Sequence, residues 1–311
     1  MPLELPRTPR LVFDVRMRPV AGSAFQPTGF PNLGPAEFTR PGGQPSLLVE
    51  SVQSMANHLE GVGIDAASGE PIELLRPLPW LAVRDDAGRL LTSSRREAHR
   101  LASAYVRDAT IDGQTGGDWL RDRLGLKEKA PLDMPAIYRA VLELDPMCLL
   151  HGVFFANLDR TPKVRRAISA TIEAHNVAPA VSSGVKLDPL QATGTKEGYG
   201  YVPLPPRQDF VADEIALTVV IDLEQIRGYG LAFEQTRLLE RLAAWELAAL
   251  LDGPLRLRSR CDLEVESVTA RGADGFALPP VEALAEEVAS AIDAVTFETP
   301  GERTAVWGAK G

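Results

Sequence analysis

Two long stretches rich in glycine and proline decide where this chain can and cannot be regular. They are residues 19–45 (PVAGSAFQPTGFPNLGPAEFTRPGGQP) and 182–207 (SSGVKLDPLQATGTKEGYGYVPLPPR). Proline fixes φ and removes a backbone donor, and glycine carries the largest entropy loss on ordering, so neither stretch is expected to be a helix or a central strand. Structureless segments of this length inside a compact chain are usually functional or disordered. The core must come from the segments between them.

Residues 10–18 (RLVFDVRMR) alternate and read as a strand. Ser46 is placed to cap a helix running to about Glu60, with Leu48, Val52, Met55 and Leu59 as its apolar stripe and Gly61 and Gly63 as its stop. Residues 72–83 look extended, but Pro77 and Pro79 confine them to an edge or irregular strand. Residues 94–108 read as a helix and another begins at 135–144. The apolar run 147–156 (MCLLHGVFFA) reads as a buried strand, and 164–175 as an extended segment or short helix. Residues 214–223 form the clearest strand, and 233–251 a helix apolar around much of its circumference. From 255 to 268, Leu255, Leu257, Cys261, Leu263 and Val265 alternate with charge, as in one half-buried antiparallel strand. Residues 281–295 make an acidic amphipathic helix. This irregular interleaving predicts an α+β fold rather than a doubly wound sheet.

The 311 residues, 45% hydrophobic and 24% charged, have globular proportions and suffice for one large or two medium domains. Two cysteines, Cys148 and Cys261, cannot build a disulfide framework or a four-cysteine zinc site, which fits a reducing compartment. MPLELPRTPRL has no apolar core of a secretory signal, and no apolar run approaches the roughly 18 residues of a membrane span. A soluble, cytoplasmic protein is expected.

Familiar chemical motifs are absent. There is no dinucleotide or Walker A loop, no nucleophile elbow and no H-E-x-x-H. His58, His99, His151 and His175 lie too far apart in sequence for a local metal pair. The positive signal is basic. Arg95, Arg96, His99, Arg100 and Arg107 form one cluster, and Arg160, Lys163, Arg165 and Arg166 a second. Arg256, Arg258 and Arg260 recur at period two before the sign flips to Asp262, Glu264 and Glu266. With two glycine- and proline-rich loops, these clusters fit a chain that follows a phosphate backbone. Against this stands a net charge of -9, from 33 Lys+Arg and 42 Asp+Glu. Between 281 and 302 there are six carboxylates and no Lys or Arg, so one terminal segment supplies much of the deficit.

A more specific signal is a series of segments in order: FQPTGFPNLGP, VESVQSMANHLE (49–60), HRLASAYV (99–106), LDPMCLLHGVFFA (144–156), RRAISATIEAHNVAPAVSSGVKLDP (165–189), GYGYVPLPP (198–206) and DLEQIRGYGLA (222–232). This series resembles the CRISPR-associated RAMP family that supplies the backbone subunit of the type I-U (I-G) Cascade complex. The resemblance implies a ferredoxin-like, RNA-recognition-type palm with inserted finger-like and thumb-like elements. It maps the palm to 8–83, 146–181 and 208–280, the finger-like insertion to 84–145, and the thumb-like loop to 182–207, with an acidic C-terminal helix over 281–311. It implies copies stacked head to tail along a CRISPR RNA, which is held for pairing with a target DNA strand, alongside other Cascade subunits. The expected RNA contacts are Arg18, Gln26, Ser46, Arg95, Arg96, His99, Arg100, Arg165, Arg166, Lys186 and Lys196. No catalytic residue, metal or cofactor is expected. Three alternatives compete: a CRISPR-RNA-processing endoribonuclease using His99 or His151, target-RNA cleavage with Asp188, and a metabolic enzyme with an arginine-lined anion pocket.

Overall fold

Alternation builds the central sheet. In the strand Arg10–Pro19, Leu11, Phe13, Val15 and Met17 are buried on one face, while Arg16 and Arg18 are exposed on the other. Glu214–Asp222 repeats the pattern with Ile215, Leu217, Val219 and Ile221, and Ile168–His175 with Ile168, Ala170, Ile172 and Ala174. A period of two on both partners fixes the register, because a one-residue slip would turn every apolar side chain outward. Val15 lies opposite Leu217, and Ile172 opposite Leu217 from the other side. The computed structural model describes residues 4–30, 34–158, 160–186, 202–273 and 275–308.

Seven strands form this antiparallel sheet, in the order Leu255–Arg258, Cys261–Arg271, Arg10–Pro19, Glu214–Asp222, Ile168–His175, Pro45–Glu50 and Glu37–Thr39. Two helices connect its central strands. Val52–Gly61 follows the strand Pro45–Glu50 directly and buries Met55 and Leu59. Phe233–Asp252 precedes the last hairpin and buries Leu238, Leu239, Leu242 and Leu247, together with the polar Glu240, Arg241 and Glu246. The acidic helix Val281–Asp293 packs on it through Leu284 and Val288, with Arg241 Nε 2.9 Å from Glu287. The α+β class expected from the sequence is what forms.

A second, five-stranded sheet is centred on Trp80–Arg84 and Glu302–Val306, which pair in parallel. The C-terminal segment is therefore not helical throughout 281–311. The helix stops at Asp293, Gly301 turns with φ 74°, and Glu302–Val306 becomes a strand. Arg84 ties that strand down, with Nε and Nη2 at 2.7 and 2.6 Å from the two Glu302 oxygens.

Several local expectations are corrected, each for a physical reason. Ser46 caps no helix. It lies in the strand Pro45–Glu50, where pairing with Ile168–His175 overrides local helical spacing, and its Oγ sits 3.1 Å from His175 Nδ1. The cap is Ser51, whose hydroxyl accepts the Ser54 N–H. The run 147–156 is not one strand but the helical turn Met147–His151, a break at Gly152 with φ 79°, and the short strand Val153–Phe154. Short apolar runs do not distinguish strand from buried helix by periodicity. Residues 94–108 are interrupted by the 3-10 turn Arg100–Ala102, and only Ala104–Asp108, capped by Ser103, is helical. Within 72–83, Glu73–Leu75 is a 3-10 turn and only the end joins the strand Trp80–Arg84. Residues 255–268 form a hairpin, not one strand, and a register shift turns Arg258 inward onto Glu50. The period-two arginine face therefore does not exist. The flanks of 182–207 are paired strands, Ala178–Lys186 with Val202–Val211, and 187–201 lie outside the described residues.

Candidate nucleic-acid interface

Segments far apart in sequence meet in one cleft of about 530 Å³. Its walls are the turn Ala98–Arg100, the break His151–Phe154, the segment Lys163–Arg166, Ser169, and Val52 at the start of a helix. Both basic clusters of the sequence therefore contribute to a single concavity. Its lining has Lys163, Arg165, Arg166, Arg100, His99 and His151, and among the described residues no carboxylate. The helix that starts at Val52, capped by Ser51, adds a positive dipole end with no acid in its first turn.

The framework beneath is polar and buried. Arg100 has φ 52° and is rooted on Glu60, with Nε and Nη2 each 2.6 Å from a Glu60 oxygen, while its Nη1 donates to the Gly152 carbonyl at 3.1 Å. Burial works against the Arg100 charge, and the paired Glu60 outweighs it, raising the pKa. Gly152 has no room for a side chain: an added Cβ would lie 2.9 Å from the Val164 oxygen and 3.0 Å from the Arg166 nitrogen. Behind it, His151 Nε2 lies 3.0 Å from both oxygens of Glu246. Burial pushes the His151 imidazole down to about 4 and the Glu246 carboxyl well up, so burial disfavours the charged form of each and His151 is neutral at neutral pH. The Glu246–His151 contact is therefore a hydrogen bond rather than an ion pair, and Nδ1 of His151 has no partner among the described residues.

The motif DLEQIRGYGLA buttresses the cleft from below. Tyr229 donates its hydroxyl to the Leu149 carbonyl at 2.8 Å. Gln225 donates to the Arg165 carbonyl at 2.8 Å and to the Tyr229 hydroxyl. These bonds fix the backbone that carries Arg165. Arg166, half-buried, donates from Nε to the His151 carbonyl, and burial together with the nearby Arg100 charge lowers its pKa. A bound anion would relieve both effects. Lys163 and Arg165 are exposed, and among the described residues neither is in an ion pair.

The expected contact residues divide accordingly. His99, Arg100, Arg165 and Arg166 come together in the cleft. Of these, Arg100 is spent on Glu60. Arg95 is a correction: it is buried, 3.5 Å from Asp145, and donates to the carbonyls of Leu75 and Pro79, so it holds the core rather than a ligand. Arg96 is exposed but lies against Gly69, outside the cleft. Arg18 is also elsewhere, with Nε 2.6 Å from Glu264 on the outer sheet face. Gln26 is half-buried, its carbonyl accepting from Arg258 at 2.7 Å. Ser46 is buried against His175. Lys186 ends a strand, and Lys196 and Asp188 lie outside the described residues. Among the cleft residues missing from the expected contacts are the exposed Lys163 and Phe154. Lys163 was visible as a member of the second cluster, whereas Phe154 was hidden in a run that reads as core.

A second arginine-lined concavity, of about 360 Å³, contains Arg123, Arg139 and Arg303, but also Glu143 and Glu298. Burial raises the Glu143 pKa. Mixed sign makes it a poorer anion site than the cleft.

The family model of CRISPR-associated protein GSU0053 matches residues 11–179, more than half of the chain. No curated protein matches. Among solved structures, a chain of "CRISPR RNA-guided surveillance complex, pre-nicking" is 14% identical with a TM-score of 0.42, over 78% of this chain and 69% of that one. The "Crystal structure of Thermofilum pendens Csc2" is 12% identical with a TM-score of 0.33, over 94% of this chain and 79% of that one. Scores this low carry no weight here. The chain belongs to the family of CRISPR-associated protein GSU0053.

Proposed function

We propose that this CRISPR-associated protein is a non-catalytic backbone subunit of a Cascade surveillance complex. Copies stack head to tail along the CRISPR RNA, with other Cascade subunits, and present it for pairing with target DNA. The observation that carries this reading is the cleft: four cationic side chains, two histidines and a helix start line it, with no carboxylate among the described residues. Such a site suits a phosphate backbone and reads no base edge. Six of the elements, Arg10–Pro19, Val52–Gly61, Ile168–His175, Glu214–Asp222, Phe233–Asp252 and Cys261–Arg271, follow the order strand, helix, strand, strand, helix, strand with the last strand beside the first, which supports the ferredoxin-like palm. No helix among the described residues is long and apolar enough to cross a membrane.

The processing-enzyme alternative needs a histidine that exchanges a proton near neutrality. His151 is held neutral with a pKa of about 4 and has Nε2 committed to Glu246, which leaves His99 alone. One experiment separates the readings. Purified alone, the chain should carry heterogeneous RNA and run as large, polydisperse species, and should leave added repeat RNA intact. Three cleft cations, Lys163, Arg165 and Arg166, predict a contribution of about -2 to the slope of log K against log salt, at about -0.7 per phosphate. Cleavage of repeat RNA at one position, lost in His99→Ala, would overturn the non-catalytic assignment. Failure to bind RNA at low salt would overturn the RNA reading itself.

A further inference from the structure

We propose that Phe154 is a stacking platform for one base of the single-stranded RNA whose phosphates occupy the cleft. The proposal rests on the RNA reading above and deepens it. Phe154 lines the cleft and is 51% exposed, unusual for a phenylalanine inside an apolar run. It is not a frayed core residue. Its neighbours Val153 and Phe155 are buried at 4% and 1%, so the pleat drives Phe154 outward on a backbone pinned at both sides.

The ladder then matches it with charge. Phe154 pairs in register with Lys163, whose Nζ stands 5.8 Å from the ring centroid. Val164 points inward and is 2% exposed, so Lys163 and Arg165 share the outward side with Phe154. An aromatic face and two cations without carboxylate partners among the described residues are thus held together on one short hairpin and its continuation. Single-stranded nucleic acid offers that pattern in return: an apolar π-face on each base and a phosphate beside it. An acidic protein would satisfy the cations but leave the ring exposed. Stacking tolerates any base, so the platform is compatible with a scaffold that leaves sequence reading to base pairing.

The test uses the full chain and a fluorescein-labelled single-stranded RNA of mixed sequence, read by anisotropy across a salt series. Phe154→Ala should weaken binding about tenfold, which is about 1.4 kcal/mol, without changing the salt slope, because no phosphate contact is lost. Phe154→Tyr should keep the affinity, and Phe154→Leu should not, since leucine restores apolar area but no π-face. On a chain of abasic ribose-phosphate units, wild type and Phe154→Ala should bind alike. Equal affinity of wild type and Phe154→Ala on normal RNA overturns the platform; if Lys163→Ala with Arg165→Ala still lowers the slope, the cleft reading survives that failure. A leucine variant as good as wild type overturns stacking in favour of plain apolar contact. A wild-type chain that ignores RNA removes both readings together.

Discussion

Replacing Glu246 by glutamine should turn a stability profile that falls on the alkaline side into one that falls on the acid side. His151 and Glu246 are each 0% exposed, with Nε2 3.0 Å from both carboxyl oxygens. Ordinary values near 6.5 for histidine and about 4.3 for glutamate apply in the unfolded chain. In the folded protein burial lowers His151 to about 4 and raises Glu246 well above its usual range. Between about pH 4.5 and 6.5 the folded pair holds one proton, on Glu246, and the unfolded pair also holds one, on His151. Stability from the pair is then flat. Above about 6.5 the unfolded pair holds none while the folded pair keeps one, so stability falls by up to about 1.4 kcal/mol per pH unit until the folded Glu246 ionises.

The fall continues up to the pH at which the folded Glu246 ionises, and each unit of it is a sizeable part of a typical stability of about 5–15 kcal/mol. Glutamine keeps the shape and can donate N–H to Nε2, but does not titrate. Glu246→Gln should therefore be flat above 6.5. It should instead lose stability between 6.5 and 4, where the unfolded histidine charges and the folded one does not. Urea midpoints of both chains at pH 5, 6.5, 7.5 and 8.5 measure this. Other groups titrate too, so the difference between the profiles isolates the pair. Parallel profiles would refute the shared-proton assignment, and a wild type that weakens only on the acid side would mean that the folded pair holds no proton above pH 6.5.

Lys163→Ala with Arg165→Ala should reduce the magnitude of the salt slope for RNA binding by about 1.4, because two of the cleft's cations are gone; an unchanged slope would place the phosphates elsewhere. Gly152→Ala should cost at least about 2 kcal/mol by urea denaturation, since it adds left-handed backbone strain to contacts of 2.9 and 3.0 Å. Arg100→Ala should cost about 3–5 kcal/mol because it strands Glu60, and Glu60→Gln in the same background should recover part of that; no recovery would mean the loss comes from the Gly152 carbonyl bond instead.

The sheet was legible because its signal is local: period two in 10–18 and 214–223 needs no partner to be recognised. The cleft was legible only by half. RREAHR and KVRR declare positive charge, but nothing in RREAHR distinguishes His99, which opens into the cleft, from Arg95 and Arg100, which are buried on Asp145 and Glu60. Their partners lie 50 and 40 residues away and come within reach only after folding. Ser46 failed for a related reason, since a good local cap was overridden by strand pairing across 129 residues. Phe154 was unreadable because one exposed ring in FFA follows from the pleat, not from the composition.

The charge of -9 looks opposed to a polyanion partner, yet its distribution removes the conflict. On the outer sheet face, Arg10, Arg16, Arg18 and Arg271 stand within 4 Å of Asp222, Glu266, Glu264 and Asp14, so that surface is nearly self-compensated. The buried Arg95 and Arg100 are likewise balanced by Asp145 and Glu60. Much of the excess acid belongs to the Val281–Glu302 segment, none of which lines the cleft. Charges beyond about 8–10 Å are largely screened at physiological salt. A phosphate in the cleft therefore responds to Lys163, Arg165 and Arg166, not to the sum over the chain. The acid elsewhere has a separate consequence: it penalises nucleic acid bound outside the cleft. On the proposed reading, an acidic chain whose groove has no carboxylate among the described residues would confine a polyanion to that groove, which a uniformly basic chain would not do.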